Sequence, residues 1–416
     1  MAHEDGDHKV RAQYEDYPYP ARDPADERQR LITGSPSHLL EIEHYVLAGA
    51  RAGALNALIA GGGTGDAAIM LAQQLADRGA GSVTYLDVSA ASLEIARARA
   101  AMRGLDNIRF LQGSLLDVGA IAPGPYDYID CCGVLHHLDE PQAGLDALVT
   151  QLAPAGGMGI MLYGTLGRSG VYPLQRALAR LAGGDAPAAR VALARRLIGQ
   201  LPEGNLFRRN PHLGDHLQGD DAGLYDLLLH SRDRAYTVPE LADLVAASGL
   251  KLSSFVPGLQ YDPAIYLADA DLKARAAALP PLQQAALAEE LSGAFKTHVF
   301  YVVRADNAVG GQADPDDPEQ VPVLREHQPA ELADALARLS RLRATVGGVV
   351  VALPVPAGAD AVVRQIDGSR SLRQIHAALE GQGEQAAWPE FQARFRAVYD
   401  LLQPLNLLLL AGRAAP

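Results

Sequence analysis

The stretch Leu58-Ile59-Ala60-Gly61-Gly62-Gly63-Thr64-Gly65-Asp66 decides how the rest of the chain is read. An apolar run enters it. A run with Ala68, Leu71, Ala72 and Leu75 on one helical face leaves it and stops at Gly79. Between them glycine recurs at Gly61, Gly63 and Gly65, where the backbone must visit φ > 0 or lie close against a ligand. The pattern predicts a strand, a tight turn and a helix N-terminus. A dinucleotide turn needs G-x-G-x-x-G, and its third glycine would fall at Asp66. A pyrophosphate at that helix start would meet a carboxylate, which is unfavourable. A ligand with a cationic tail tolerates the acid. The next predicted strand, Val83–Val88, carries Asp87 at its end, where a carboxylate can accept from both hydroxyls of a ribose.

Working outward, strand and helix alternate. Ser89 is placed to cap a helix that Gly104 ends, and Ile108–Gln112 and Tyr126–Cys132 read as strands three and four. A helix starts at Pro141, Gly156-Gly157 breaks it, and Met158–Tyr163 reads as strand five. Residues 164–236 interrupt the alternation with helical segments near 171–182 and 187–201, then a loop around Asn210–Gly219, and read as an inserted cap. Thr237-Val238-Pro239-Glu240 has capping-box spacing. Leu252–Val256 and Thr297–Arg304 complete about seven strands. The alternation implies an α/β fold with a parallel, doubly wound, Rossmann-like sheet.

Residues 54–163 resemble a class I S-adenosylmethionine (SAM)-dependent methyltransferase domain. The resemblance rests on Leu58–Asp66, on Tyr85-Leu86-Asp87-Val88-Ser89, on Phe110-Leu111-Gln112-Gly113-Ser114-Leu115, and on Tyr126-Asp127-Tyr128-Ile129-Asp130 leading into Gly133-Val134-Leu135-His136-His137-Leu138. It implies SAM as cofactor. It places the methionyl part at Gly61, Gly63 and Gly65, the ribose at Asp87, adenine at Ser114 and Leu115, and the sulfonium near Gly133 and His136. Many relatives carry Asp where Ser114 stands; a serine hydroxyl accepts as a neutral, weaker partner.

Methyl transfer is an in-line displacement, and a base is needed only where the acceptor starts protonated. His136, His137 and Tyr163 are the catalytic candidates. The substrate candidates are Tyr14, Tyr17 and Tyr19 in a Tyr/Pro arm (1–35), Arg168 after strand five, and Arg232, Asp233 and Tyr236 before the next helix. His212, Asp215 and His216 raise a metal question, but Pro211 and Gly214 break the helix such a pair needs, and no metal is expected.

The methyltransferase domain is expected to span 36–304, followed by a Gly/Pro/Asp-rich linker at 305–322 and a C-terminal unit at 323–416. Helices with a small terminal hairpin there suggest a winged-helix-like α+β module. The run Gln365-Ile366-Asp367-Gly368-Ser369-Arg370-Ser371-Leu372-Arg373-Gln374-Ile375 is similar to PqqD-like domains, which implies peptide binding by strand addition.

Composition narrows the function classes. At 416 residues with 48% hydrophobic content, the chain builds more than one core. A net charge of −13 and no basic stripe argue against nucleic acid. The two adjacent cysteines, Cys131 and Cys132, cannot form a disulfide framework, and a reducing cytoplasm is expected. No signal peptide or membrane span is expected, and a homo-oligomer is compatible with the sequence. The expected function is SAM-dependent methylation of a small-molecule or peptide acceptor. The rivals are a non-catalytic scaffold acting through the C-terminal unit, and a nicotinamide-dependent oxidoreductase, against which Asp66 speaks.

Overall fold

The computed structural model describes residues 12–182, 184–214, 221–309, 311–382 and 386–412. Seven strands form the central sheet: β1 (Asn56–Ala60), β2 (Ser82–Asp87), β3 (Ile108–Gln112), β4 (Tyr126–Cys132), β5 (Leu152–Tyr163), β6 (Leu250–Phe255) and β7 (Thr297–Arg304). Their order is β3-β2-β1-β4-β5-β7-β6. Strands β1 to β5 pair in parallel, while β7 lies antiparallel between β5 and β6, so the sheet is mixed rather than wholly parallel. Gly156 and Gly157 lie inside β5 instead of preceding it. A Cβ at either would lie within 3.0 Å of backbone oxygen on β4 or β7, so glycine lets the strands close up there.

Helices cover both faces. On one side pack α1 (Leu39–Tyr45), α2 (Asp66–Asp77) and α3 (Ala90–Arg103), burying Ile42, Tyr45, Leu71, Leu75 and Ala96 against Ala57, Ile59 and Tyr85. On the other pack α4 (Pro141–Val149) and, after the cap, α8 (Val238–Ala247). There Leu145, Leu148, Leu241 and Val245 meet Leu58, Ile129 and Ile160. Gly65, at φ 103°, opens α2, and Ser89 caps α3 by accepting from the Ser92 amide.

Between β5 and α8 lies the cap, made of α5 (Val171–Ala182), α6 (Pro187–Ile198) and α7 (Asp221–Leu228). It has its own apolar core of Leu174, Leu178, Val191, Leu224, Leu227 and Leu228. Helix α7 is absent from the sequence reading, which sees only a loop before it; Asp215 and His216 of that loop lie outside the described residues.

The C-terminal unit differs from the expectation. Its hairpin, β9 (Arg341–Val346) with β10 (Val349–Pro354), precedes most of its helices. The terminal strand β11 (Leu408–Leu410) instead pairs with β8 (Pro322–Leu324), at the far end of the unit in sequence. Residues of the expected linker are tied down: Ala313 N–H donates to His44 O, and Ala313, Gln320 and Val321 are buried. The unit docks on α1. Asn406 Nδ2 donates to Glu41 (2.6 Å), Tyr45 OH donates to Asn406 (3.0 Å), and the Leu410 amide donates to His44 Nδ1 (3.0 Å). No helix among the described residues is long and apolar enough to cross a membrane.

Candidate active site

A cleft of about 810 Å³ runs along the C-terminal edge of the parallel strands, where open α/β sheets bind ligands. Its lining includes Gly61, Gly63, Asp66, Asp87, Ser114, Leu115, Asp130, Gly133, His137, Tyr163 and Asp226, with Tyr14 and Tyr19 of the N-terminal arm.

At one end the glycine turn is held open by β2. The Gly63 amide donates to Asp87 Oδ2 (2.8 Å), the Ser89 amide donates to Oδ1 (2.8 Å), and Tyr85 OH donates to Gly63 O (2.6 Å). Asp87 lines the cleft, and a carboxylate has capacity to accept further bonds there. Burial raises the Asp87 pKa, and the backbone amides of Ser89 and Gly63 oppose that. A side chain at Gly61 (φ 83°) would strike Val134, and one at Gly63 (φ 51°) would strike the Tyr19 carbonyl. Gly65 does not line the cleft. Its missing Cβ lets α2 approach Ala96 of α3. Ser114 lines the cleft, and its hydroxyl accepts from the Leu116 amide (3.2 Å), capping the turn after β3. The acid at position 66 is not a bare charge either, because Arg22 of the arm (2.6 Å) and Arg99 of α3 (2.7 Å) both pair with it.

The arm crosses this end as a strap, anchored at Arg22 and at three further points. Glu15 accepts from the Ala90 and Ala91 amides at the start of α3 (2.7 and 3.1 Å), an acid at a helix N-terminus. Thr64 donates to Pro20 O (2.7 Å), and buried Glu27 pairs with Arg99 (2.6 Å) and with Arg103.

The other end is a wall of aromatic and acidic groups. Tyr163 OH donates to Asp226 Oδ2 (2.7 Å) and Tyr14 OH to Oδ1 (3.3 Å). His137 and His230 stack at 3.8 Å. The peptide groups of Arg232 set these two rings differently. His137 Nδ1 donates to Arg232 O (2.8 Å), which leaves a lone pair on Nε2. His230 Nδ1 accepts from the Arg232 amide (3.0 Å), which puts its proton on Nε2, 3.3 Å from Tyr14 OH. Burial lowers the His230 pKa well below its usual value, with His137 adding to it, so the ring is neutral. Ligand atoms of His137, Asp226 and His230 lie within 4.8 Å of one another. A metal ligand normally donates its second ring N–H, whereas His230 accepts there, so the donor set is poorly matched to a cation.

Several candidates lie off the cleft. His136, read as a catalytic group beside the sulfonium, is fully buried behind Tyr163, its ring stacked on the phenol at 3.9 Å. Burial lowers its pKa well below the usual value. Arg168 stacks on the Tyr163 ring at 3.7 Å from the other side and pairs with buried Asp233 (2.6 Å). Asp233 also takes the Tyr172 hydroxyl (2.8 Å), so both are spent on holding the cap. Tyr17 stacks on Tyr225 of the cap (4.9 Å), and Tyr236 is a core residue. Arg232 acts through its main chain. Two cleft acids escaped the sequence reading. Asp130, raised to about 6 by burial, accepts from Ser37 (2.6 Å). Asp226 was signalled only as a lone acid in the apolar run Gly223–Leu229.

A family model described as a methyltransferase domain matches residues 58–158. Residues 58–158 are thus a methyltransferase domain. The chain is 34% identical over 229 residues to an uncharacterised protein of Synechococcus, covering 54% of each chain. It is 31% identical over 101 residues to the ubiquinone biosynthesis O-methyltransferase of Klebsiella pneumoniae, 24% of this chain and 40% of that one. The match to the tRNA 5-carboxymethoxyuridine methyltransferase of Escherichia coli is 33% over 114 residues, covering 27% and 42%. The chain thus spans about half the length, or less, of these curated relatives. Among solved structures, PKMT2 from Rickettsia typhi superposes with a TM-score of 0.61 at 14% identity, over 90% of this chain and 76% of that one. Its complex with AdoHcy superposes at 0.59 and 13%, over 91% and 74%. At such identity the likeness is one of fold. It extends well past the methyltransferase domain.

Proposed function

We propose that this chain is a SAM-dependent methyltransferase acting on a small-molecule or peptide acceptor in a cytoplasmic setting. The observation that carries the reading is the cleft of about 810 Å³ with the glycine turn and Asp87 at one end and His137 and Tyr163 at the other. Its residues fit the donor. Gly61 and Gly63 offer backbone without side chains, Asp87 offers a carboxylate for a ribose, and the Asp130 carboxylate suits the cationic part of the donor.

When bound, the donor supplies an electrophilic methyl group on a cationic sulfur. The chain's own residues orient and enclose. Tyr19 and Pro20 of the strap close over the turn, Met161 and Val134 give an apolar floor, and Tyr163 fixes the far wall. Tyr163 is a donor rather than a base, because burial and then Asp226 push its pKa well above the usual phenol value. His137, with Nδ1 committed to Arg232 O, is the base candidate through Nε2. Its partner His136 is assigned to packing.

Isothermal titration tests the reading. The folded chain should release or absorb heat with SAM and none with NAD. Silence with SAM would overturn it.

A further inference from the structure

Asp226 sits on helix α7 of the cap, 6% exposed, with its carboxylate lining the acceptor end of the cleft. Two neutral hydroxyls, Tyr14 and Tyr163, donate to it. Among the described residues no cation pairs with it. Arg168, across the Tyr163 ring, reaches it only through space and gives its hydrogen bond to Asp233. Both neighbouring imidazoles are set by the Arg232 peptide, with a lone pair facing outward on His137 and an N–H on His230. The wall is therefore a buried negative charge among phenol rings, with one base beside it.

We infer that the methyl acceptor is an amine nitrogen, held as its ammonium by Asp226 between Tyr14 and Tyr163. This rests on the methyltransferase reading above and narrows its acceptor class. The physical reason is the sign of the charge that develops. An oxygen acceptor loses its proton and gathers negative charge, which a neighbouring carboxylate opposes. An amine reacts as the neutral base and ends cationic, which the carboxylate stabilises in the transition state. One proton first leaves the ammonium for His137 Nε2 and then for solvent. The nitrogen lone pair forms the N–C bond as the C–S bonding pair returns to sulfur, so one positive charge passes from sulfur to nitrogen. A metal ion between His137, Asp226 and His230 would neutralise the same carboxylate and is the competing occupant.

The test offers the full chain labelled SAM with four acceptors: putrescine, Nα-acetyl-lysine methylamide, an unstructured lysine-containing peptide, and N-acetyl-tyrosine amide. Label in putrescine alone identifies a free amine, and label in the lysine acceptors a side-chain amine; either supports the assignment. Label in the phenol and none in the amines overturns it, as does no transfer to any amine while SAM still binds. A stoichiometric divalent ion whose chelation abolishes transfer also overturns it. If SAM itself fails to bind, the methyltransferase reading falls instead. A second readout needs no turnover. Binding of N-methylputrescine, or of Nε-methyl-Nα-acetyl-lysine methylamide where the lysine acceptors take the label, to the S-adenosylhomocysteine-loaded chain should weaken about tenfold or more in Asp226→Asn, the scale of a lost charge-assisted hydrogen bond. S-Adenosylhomocysteine affinity should hold within about twofold, since Asp226 lies at the acceptor end. Unchanged amine binding in that variant would overturn the assignment.

Discussion

The two ends of the cleft are assembled in opposite ways. At the donor end the groups come from successive strand ends, Gly61–Gly65 after β1, Asp87 at the end of β2, Ser114–Leu115 after β3. At the acceptor end, Tyr14 and Asp226 meet across a sequence separation of 212, and His137 reaches Arg232 across 95. Local sequence carries the lining of the first end, which the strap then covers. The second exists only when the strap and the cap fold onto the sheet. Chemistry common to a family can sit at strand ends, and selectivity can be carried by what is folded over them.

That contrast can be broken by variants that touch one end only. The largest effect is expected for His137→Ala, which should lower kcat by about 10²–10⁴-fold, the usual range for a lost general base, with SAM affinity within about twofold. A matching loss of SAM affinity would show that the two ends are not separable. Next is Asp87→Ala. It removes the ribose acceptor and orphans the Gly63 and Ser89 amides, and should weaken SAM about 100-fold by titration, from about 3 kcal/mol of charge-assisted bonding. Acceptor KM should move far less than donor affinity. The opposite pattern would reverse the assignment of the ends.

Acid should act on the docking of the C-terminal unit as well as on the cleft, where burial also holds His136 and His230 neutral. Burial holds His44 down to about 3 and His38 to about 4, from 6.5. As pH falls through 6.5 the unfolded chain takes up protons that the folded chain refuses until its own lower values are reached. Stability present above about 6.5 is therefore lost progressively toward pH 4, by up to about 1.4 kcal/mol per pH unit for each such group. Melting curves at pH 7 and pH 5 should show it, and His44→Gln should shrink the difference. A melting temperature flat across that range would remove the His44 node from the account. The smallest effect is expected for Tyr17→Ala. It loses a ring stack on Tyr225 worth about 0.5–1.5 kcal/mol, so it should lower the melting temperature slightly and leave acceptor KM within about threefold. A large KM change would mean that Tyr17 reaches the acceptor.

Much of the fold was legible because burial leaves a period. The apolar strands β1 and β4, the stripe on α2 and the glycine stops all follow from local rules. The direction of β7 was not legible, since an antiparallel strand placed between β5 and β6 has the same apolar pattern as a parallel one at the edge. Nor was the pairing of β8 with β11, whose partners are separated by the whole C-terminal unit. In the site, His136 and His137 are adjacent and chemically alike. Only the packing of Tyr163 over one ring and the Arg232 carbonyl on the other tells the buried ring from the one that lines the cleft.

The glycine turn shows where sequence and tertiary structure divide. The sequence by itself determined that a strand turns into a helix there, that glycine is required, and that position 66 is an acid rather than the glycine a dinucleotide needs. The tertiary structure decided what those residues do. Gly65 serves the packing of two helices, and Asp66 is neutralised by Arg22 and Arg99 from elsewhere in the chain. The exclusion of a dinucleotide therefore rests less on repulsion than on a helix start already taken by an ion pair and a strap. It also brought Asp226 to the acceptor end. Backbone conformation is set by neighbours in the chain and can be read from them. Charge compensation is set by neighbours in space, and no local pattern records it.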